Sequence, residues 1–256
     1  MKSYYLYIFW GIVSSCSEIQ SQRVPIIEPT KILSSIPNWS IYQWNYLRLS
    51  ENFIALDFDG DVITKEIFLN YLTSGNYLPL KLKSKDSLTC YKLYELDTSV
   101  DKDIRSVIKE FGKLEYEHYK MEGKELPNFD LVDLKGNIYN KETTKGNILV
   151  LKCWFINCLA CNKEIPYLNE LVVHYKNRKD ILFVSLATDK SEDLKAFLAK
   201  TSFSYEVVPN QENYIINYLK VTQFPTHIVI NKEGKIAKVV NTYDELSTEL
   251  KSADLR

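Results

Sequence analysis

Residues 148–161, which read ILVLKCWFINCLAC, decide the fold of the carboxy-terminal half of the chain. Residues 148–155 form a nearly continuous apolar run, a pattern typical of a strand that is buried on both faces of a sheet. After the pair Cys158 and Cys161, apolar residues recur at helical spacing over residues 165–175. The two cysteines therefore lie where a buried strand meets an amphipathic helix.

Further apolar patterns extend on both sides of this stretch. A hairpin is predicted before it, and strands alternate with helices after it. An amphipathic helix over residues 101–121 is predicted to join this half to the amino-terminal one. The predicted elements of the carboxy-terminal half are a hairpin at 128–139, strands at 148–155, 181–186, 227–230 and 236–240, and helices at 165–175, 191–200, 212–219 and 244–251. This order predicts an α/β fold.

The position of Cys158 favours redox chemistry. The unpaired N–H groups and the positive end of a helix stabilise a thiolate relative to a thiol. Such a thiolate can attack the disulfide of another protein, and Cys161, one helical turn on, is placed to resolve the mixed disulfide.

Two other interpretations of the cysteine pair stay open. A zinc site would need further Cys or His ligands at suitable spacing, whereas His118, His174 and His227 are scattered singly along the chain. A purely structural disulfide would close a very short loop and so remove little chain entropy from the unfolded state.

The same residues resemble a known family, the TlpA-like disulfide reductases of bacterial envelopes in the thioredoxin superfamily. The resemblance covers residues 126–252. It rests on the strand before the cysteines, the CxxCxxExP pattern and the Phe-Pro-Thr sequence before a later strand. The matching positions are residues 148–155, Cys158, Cys161, Glu164, Pro166, Phe224, Pro225 and Thr226.

The resemblance implies a thioredoxin-like fold, in which a central mixed sheet is flanked by helices. It implies that Cys158 is the exposed nucleophile, Cys161 the resolving thiol and Glu164 a proton-transfer residue. Pro225 would be a cis proline against the cysteines, and the backbone of Phe224 would bind a peptide partner. The implied partners are protein thiols and disulfides, and an upstream membrane electron donor is compatible with this function. No cofactor and no metal is expected.

Lys152 stands out because its neighbours in the strand are apolar. A buried ammonium without a partner costs several kcal/mol, so Lys152 is expected to pair with Glu164 and thereby tune the cysteines. Asn157, Leu159 and Ala160 depart from the residues usual in the family. Because they adjoin the cysteines, they are expected to influence partner binding and reduction potential, and the direction of electron flow stays open.

Two alternative functions remain. The AhpC/TSA peroxiredoxins share the expected fold, but their PxxxTxxC motif is missing, because Leu151 and Phe155 stand where the proline and threonine would be. A carrier module that handles a metal or haem through its cysteines would bind its cargo without turnover.

The amino-terminal half has a different organisation. An apolar run too short to span a membrane, followed by Val-Ser-Ser-Cys, predicts a signal peptide over residues 1–16 and resembles a lipobox with Cys16 as the lipidated residue. A tether is expected over 17–38, a small β-rich domain over 39–100, the linking helix over 101–123 and the thioredoxin-like domain over 126–254. The expected location is the bacterial cell envelope.

Composition excludes some functions. Among the 256 residues, 32 basic and 33 acidic side chains leave a net charge of −1, with no basic stripe of the kind that binds nucleic acid. With five cysteines in all, the chain is no disulfide-stapled scaffold, and Cys90 and Cys153 are expected to act as small buried apolar residues.

Overall fold

The computed structural model describes residues 24–83 and 88–253. The predicted signal peptide, its lipobox cysteine Cys16 and the first part of the predicted tether lie outside the described residues. The chain divides into two compact units, with the boundary between Tyr116 and Glu117.

The first unit contains a four-stranded sheet together with helices. The strand order is β2-β1-β4-β3, and β1 and β4 run parallel while the other neighbours are antiparallel. Its elements are α1 (Pro29–Ile32), α2 (Ile36–Tyr46), β1 (Ile54–Leu56), β2 (Val62–Ile63), α3 (Lys65–Leu72), β3 (Tyr77–Lys81) and β4 (Cys90–Glu95).

Residues 24–46 cover the outer edge of β3, where backbone groups would otherwise lack partners. The Tyr42 hydroxyl donates to the Pro79 carbonyl at 3.0 Å and accepts from the Lys81 N–H at 2.7 Å. Trp39 and Tyr42 are buried. Residues 29–38, which fall within the tether predicted over 17–38, instead contain α1 and the start of α2, because the aromatic residues of α2 bury apolar surface that the polar composition upstream does not reveal.

The predicted linking helix is confirmed as α4 (Lys102–Met121), which begins in the first unit and ends in the second. The Asp101 carboxylate accepts the N–H groups of Asp103 and Ile104 at 2.8 and 3.2 Å, and this caps the start of the helix. Ile104 and Ile108 are buried on its apolar face.

The second unit is built on a five-stranded sheet in the order β11-β10-β7-β8-β9, preceded by a β5-β6 hairpin. β7, β8 and β9 are parallel, and β10 is antiparallel to both β7 and β11. A π-helical turn, Tyr214–Tyr218, precedes β10. The elements are β5 (Asp130–Val132), β6 (Ile138–Asn140), β7 (Ile148–Trp154), α5 (Leu159–His174), β8 (Ile181–Ala187), α6 (Ser191–Leu198), β9 (Glu206–Val208), β10 (Thr226–Ile230), β11 (Ile236–Val240) and α7 (Tyr243–Ala253).

The central strand β7 is buried along its whole length. Alternate residues face two apolar clusters: Leu149 and Leu151 lie in one, whereas Ile148 and Val150 lie in the other, with residues of α5 and α7. This explains why its sequence is continuously apolar, and it confirms the predicted central mixed sheet flanked by helices. Within residues 24–83 and 88–253, no helix is long and apolar enough to cross a membrane.

Candidate active site

Cys158 lies at the amino-terminal end of α5, four residues after the last residue of β7. Its backbone is extended, with φ −77° and ψ 101°, and its Sγ accepts a hydrogen bond from the N–H of Cys161 at 3.1 Å. The two cysteines form a disulfide, with their Cα atoms 5.2 Å apart. The pair thus stands at the strand-to-helix junction that the sequence predicts.

The two cysteine residues differ in their exposed surface. Cys158 is 7% exposed, whereas Cys161 has no exposed surface. Leu159, between them, is 69% exposed, and Asn157 and Ala160 are also exposed. A partner approaching this surface would therefore meet Cys158 first.

The loop before Cys158 is held by two polar side chains that the sequence analysis did not single out. Asp189 accepts the N–H of Ile156 at 2.8 Å, and Asn162 donates its side-chain amide to the Ile156 carbonyl at 2.7 Å. Both contacts join residues that are not adjacent in sequence, and no local sequence pattern predicts them. They fix the backbone that leads into the cysteines.

The Phe224–Pro225 peptide bond is cis. Thr226 is paired with Cys153 in the β10-β7 register, so Phe224 and Pro225 lie towards the cysteine end of β7. The Phe224 ring packs edge-on against Phe155, with 5.4 Å between ring centroids.

Asn241 anchors the proline loop. Its side-chain amide donates to the Pro225 carbonyl at 2.9 Å and to the Thr226 hydroxyl at 2.8 Å. Asn241 is a further residue that sequence reasoning missed, because it comes from the end of the neighbouring strand β11.

Lys152 is completely buried, and its Nζ donates to Oε1 of Glu164, a buried residue one helical turn after Cys161. Burial lowers the pKa of Lys152, and Glu164 opposes that effect. Burial alone would raise the pKa of Glu164, but the contacts with His227 and Lys152 hold it below its usual value. The contact between Lys152 and Glu164 that burial requires is thus present.

His227 is the third member of this group and was not predicted. It has no exposed surface, and its Nε2 lies 3.0 Å from Oε1 of Glu164. In the β7-β10 ladder His227 is directly opposite Lys152. A single histidine in the apolar run THIVI, two residues after Pro225, is the signal that could have revealed it.

The remaining cysteines of the described chain are apart from this disulfide. Cys90 and Cys153 are buried and take no part in a disulfide, and burial raises the pKa of Cys153 to about 12. In residues 24–83 and 88–253, no group of three or more His, Cys, Asp or Glu side chains is arranged to hold a metal.

Comparison with known proteins finds a matching family model and similar sequences. The model of the AhpC/TSA family matches residues 123–239. The thiol-disulfide oxidoreductase ResA of Bacillus cereus (strain ZK / E33L) is 34% identical over 119 residues, covering 46% of this chain and 68% of the relative. ResA of Bacillus thuringiensis subsp. konkukian (strain 97-27) is 34% identical over 137 residues, covering 52% and 79%.

Among solved structures, the thioredoxin domain of a thiol-disulfide oxidoreductase from Bacteroides vulgatus is 27% identical. It covers 51% of this chain and 96% of that domain, with a TM-score of 0.46.

The strand order of the second unit and its flanking helices define a thioredoxin-like fold. Its sequence relatives place it more narrowly. Through this half, the chain belongs to the TlpA/ResA-like family of thiol-disulfide oxidoreductases within the thioredoxin superfamily.

Proposed function

We propose that this oxidoreductase exchanges disulfides with partner proteins through Cys158 and Cys161, in the bacterial cell envelope. The observation that carries the proposal is the Cys158–Cys161 disulfide at the start of α5, in which Cys158 keeps 7% of its surface exposed and Cys161 keeps none. This asymmetry suits a nucleophile that meets the partner and a resolving thiol that does not.

The reaction needs no group beyond the thiols and the partner. In the reduced protein, the Cys158 thiolate attacks one sulfur of a partner disulfide, which forms a mixed disulfide and releases the other partner sulfur as a thiolate. Cys161 then gives up its proton and attacks Sγ of Cys158, which releases the second partner sulfur. Two electrons pass to the partner, two protons complete its thiols, and Cys158–Cys161 is oxidised. The reverse sequence oxidises a partner dithiol.

The helix supports the first step. The N–H of Cys161 already points at Sγ of Cys158, and the positive end of α5 favours negative charge on that sulfur. The first turn of α5 carries no acidic residue that would oppose this effect.

The surface around Cys158 supplies the partner contacts in this proposal. The exposed side chains of Asn157, Leu159 and Ala160 surround the outer sulfur, and the backbone of Phe224, beside the cis Pro225, offers hydrogen bonds to an extended peptide. Lys152 and Glu164 act from beneath the cysteines, where Glu164 exchanges protons with the resolving thiol.

The envelope location rests on the sequence of residues 1–16, where the apolar run ends in the lipobox-like Val-Ser-Ser-Cys with Cys16 as the lipidated residue. An oxidoreductase anchored there would draw electrons from a membrane donor.

Trapping tests the exchange reaction. In Cys161→Ala the mixed disulfide on Cys158 cannot be resolved, so we expect the full chain to accumulate covalent complexes with envelope proteins. These complexes would separate on reduction and be absent from Cys158→Ala/Cys161→Ala. Cys153→Ala, which removes a buried thiol away from the disulfide, is the matched control and should trap nothing. If Cys161→Ala captures no protein, exchange with protein partners is refuted.

A further inference from the structure

Lys152, Glu164 and His227 form one buried cluster, called here the Lys-Glu-His cluster. Lys152 and His227 are cross-strand partners in the β7-β10 ladder, so their side chains leave the sheet on the same face. Glu164 reaches them from α5. Both of their contacts end on the same atom, Oε1 of Glu164.

The hydrogen-bond geometry assigns the protons in this cluster. Burial lowers the pKa of His227, although Glu164 opposes this effect, and the lowered pKa favours the neutral imidazole. A carboxylate only accepts hydrogen bonds, so Nε2 of His227 carries the proton that is donated to Oε1. Nδ1 is then a bare acceptor, and it has no hydrogen-bond partner among the described residues.

The other carboxylate oxygen has a different setting. The hydrogen bonds from Lys152 and His227 both end on Oε1 and not on Oε2, and the Glu164 side chain keeps 11% of its surface exposed. Cys161 precedes Glu164 by three residues on α5, which places both side chains on the same face of the helix.

Resting on the proposed function, we propose that His227 is a positioning residue: with Lys152 it holds Oε1, so that Oε2 is the oxygen that exchanges a proton with Cys161. During resolution the Cys161 proton passes to Oε2, its sulfur bonds to Sγ of Cys158, and the partner sulfur leaves with the electron pair of the broken bond. Oε2 later returns the proton to solvent or to the departing thiolate.

Other titratable groups face the cluster and belong to its electrostatics. Glu245 on α7 acts on His227, and Tyr205, ahead of β9, is close enough to feel the charge of Glu164. Tyr205 in turn interacts with Tyr243. None of the His227 variants below replaces these groups. Differences in the Glu164 midpoint among those variants therefore reflect the change at His227.

The direct test follows the Glu164 carboxyl carbon by NMR in the reduced, full-length protein labelled with ¹³C-glutamate. Its signal is assigned by its loss in Glu164→Gln. A hydrogen bond to a carboxylate favours the ionised form, so removing the donor in His227→Leu should move the Glu164 midpoint upward by about one pH unit, or tenfold in acidity.

Two further variants keep the test usable if His227→Leu does not fold. The amide nitrogen of Gln can occupy the place of Nε2, whereas that of Asn reaches only the place of Nδ1. In His227→Gln the Glu164 midpoint should therefore stay within about 0.3 pH units of the wild-type midpoint. In His227→Asn it should shift as in His227→Leu. His174→Leu, at an exposed histidine near the end of α5, is the matched control and should change nothing.

The reaction gives a second readout. Reduced protein mixed with dithiodipyridine releases one thiopyridone when the Cys158 thiolate attacks the reagent and a second when Cys161 resolves the mixed disulfide. The rate of the second release, plotted against pH, should fall on the acid side as Glu164 becomes protonated. In His227→Leu this fall should occur at a higher pH, by the same amount as the shift in the Glu164 midpoint. Glu164→Gln should abolish this fall, and adding His227→Leu to Glu164→Gln should change nothing further.

The outcomes separate the two proposals. An unchanged Glu164 midpoint in folded His227→Leu and His227→Asn overturns the role of His227, as does a shift of the acid-side fall in rate that persists in the Glu164→Gln background. If the wild type shows no second phase at all, the proposed exchange function fails, and the NMR midpoints still decide the role of His227.

Discussion

Single buried ionisable residues make the stability of this protein depend on pH. His118 on α4 is one of them, since burial lowers its pKa from 6.5 to about 4 while Glu117 opposes the shift. A histidine whose pKa is lowered by folding binds its proton more readily in the unfolded chain. Stability is therefore fully present above the unfolded pKa and is lost as the pH falls towards the folded one.

His118→Leu removes this titration. We expect the free energy of unfolding of the wild type to fall by about 3 kcal/mol more than that of His118→Leu between pH 6.5 and pH 4, at about 1.4 kcal/mol per pH unit. Urea denaturation at a series of pH values measures the difference. His174→Leu, at an exposed histidine, is the control and should follow the wild type. Parallel curves for the wild type and His118→Leu would contradict the expectation.

Residue-scale reasoning from sequence reaches the Lys152–Glu164 contact but not His227. Lys152 lies in an apolar strand, and a buried ammonium group needs a charged partner. This rule, together with an acidic residue nearby in the sequence, is enough to predict the contact with Glu164. His227 lies 75 positions beyond Lys152. It meets Lys152 only because β10 pairs with β7 in one particular register, and that register is a property of the assembled sheet.

At the scale of secondary structure, α5 sets the electrostatic environment of Cys158. Its first turn has no acidic residue, and Ala160 is exposed there. A carboxylate at this position would add negative charge to the first turn of α5, at a distance of about 6 Å from the thiolate. Repulsion at that range costs about 0.7 kcal/mol in water, and it acts on the reduced protein only.

Ala160→Glu should therefore slow alkylation of Cys158 about threefold near neutral pH and make the reduction potential more negative by about 15 mV, because the thiolate form is destabilised. Site-resolved alkylation and redox equilibration with glutathione measure both effects. Val173→Glu places the same charge at an exposed position near the other end of α5, and neither quantity should change. Equal effects from the two variants would show that general charge, not helix position, is responsible.

Element-scale prediction succeeds where local pattern and tertiary role agree. The apolar run of β7 and the amphipathic pattern of α4 fix both elements almost to the residue, because burial of the same side chains decides the pattern and the packing. The region around α1 and α2 differs. The structure of this region is stabilised by burial of Trp39 and Tyr42 and by contacts with the open edge of β3. The local sequence does not indicate that a sheet edge elsewhere in the chain needs covering.

On the scale of the whole molecule, the proposed redox chemistry and the proposed location depend on different parts of the chain. The second unit holds the disulfide, the cis proline and the Lys-Glu-His cluster. The proposed envelope location depends instead on residues 1–16, far from that site in sequence. The two properties should therefore be separable by mutation, because residues 1–16 supply none of the residues proposed for the chemistry.

Cys16→Ala removes the proposed lipidation site and leaves every residue of the exchange site in place. A single lipobox cysteine carries the whole anchor in this hypothesis, so its loss should shift the full-length protein out of the membrane fraction and abolish the acyl mass at the mature amino terminus. Mass spectrometry and fractionation measure both effects, and the second phase with dithiodipyridine should keep its wild-type rate.

Ser17→Ala, the adjacent small change, should leave the fractionation as it is. A Cys16→Ala protein that fractionates like the wild type, or a wild type without an acyl group, would refute the lipid anchor and leave the thiol chemistry to be judged by trapping.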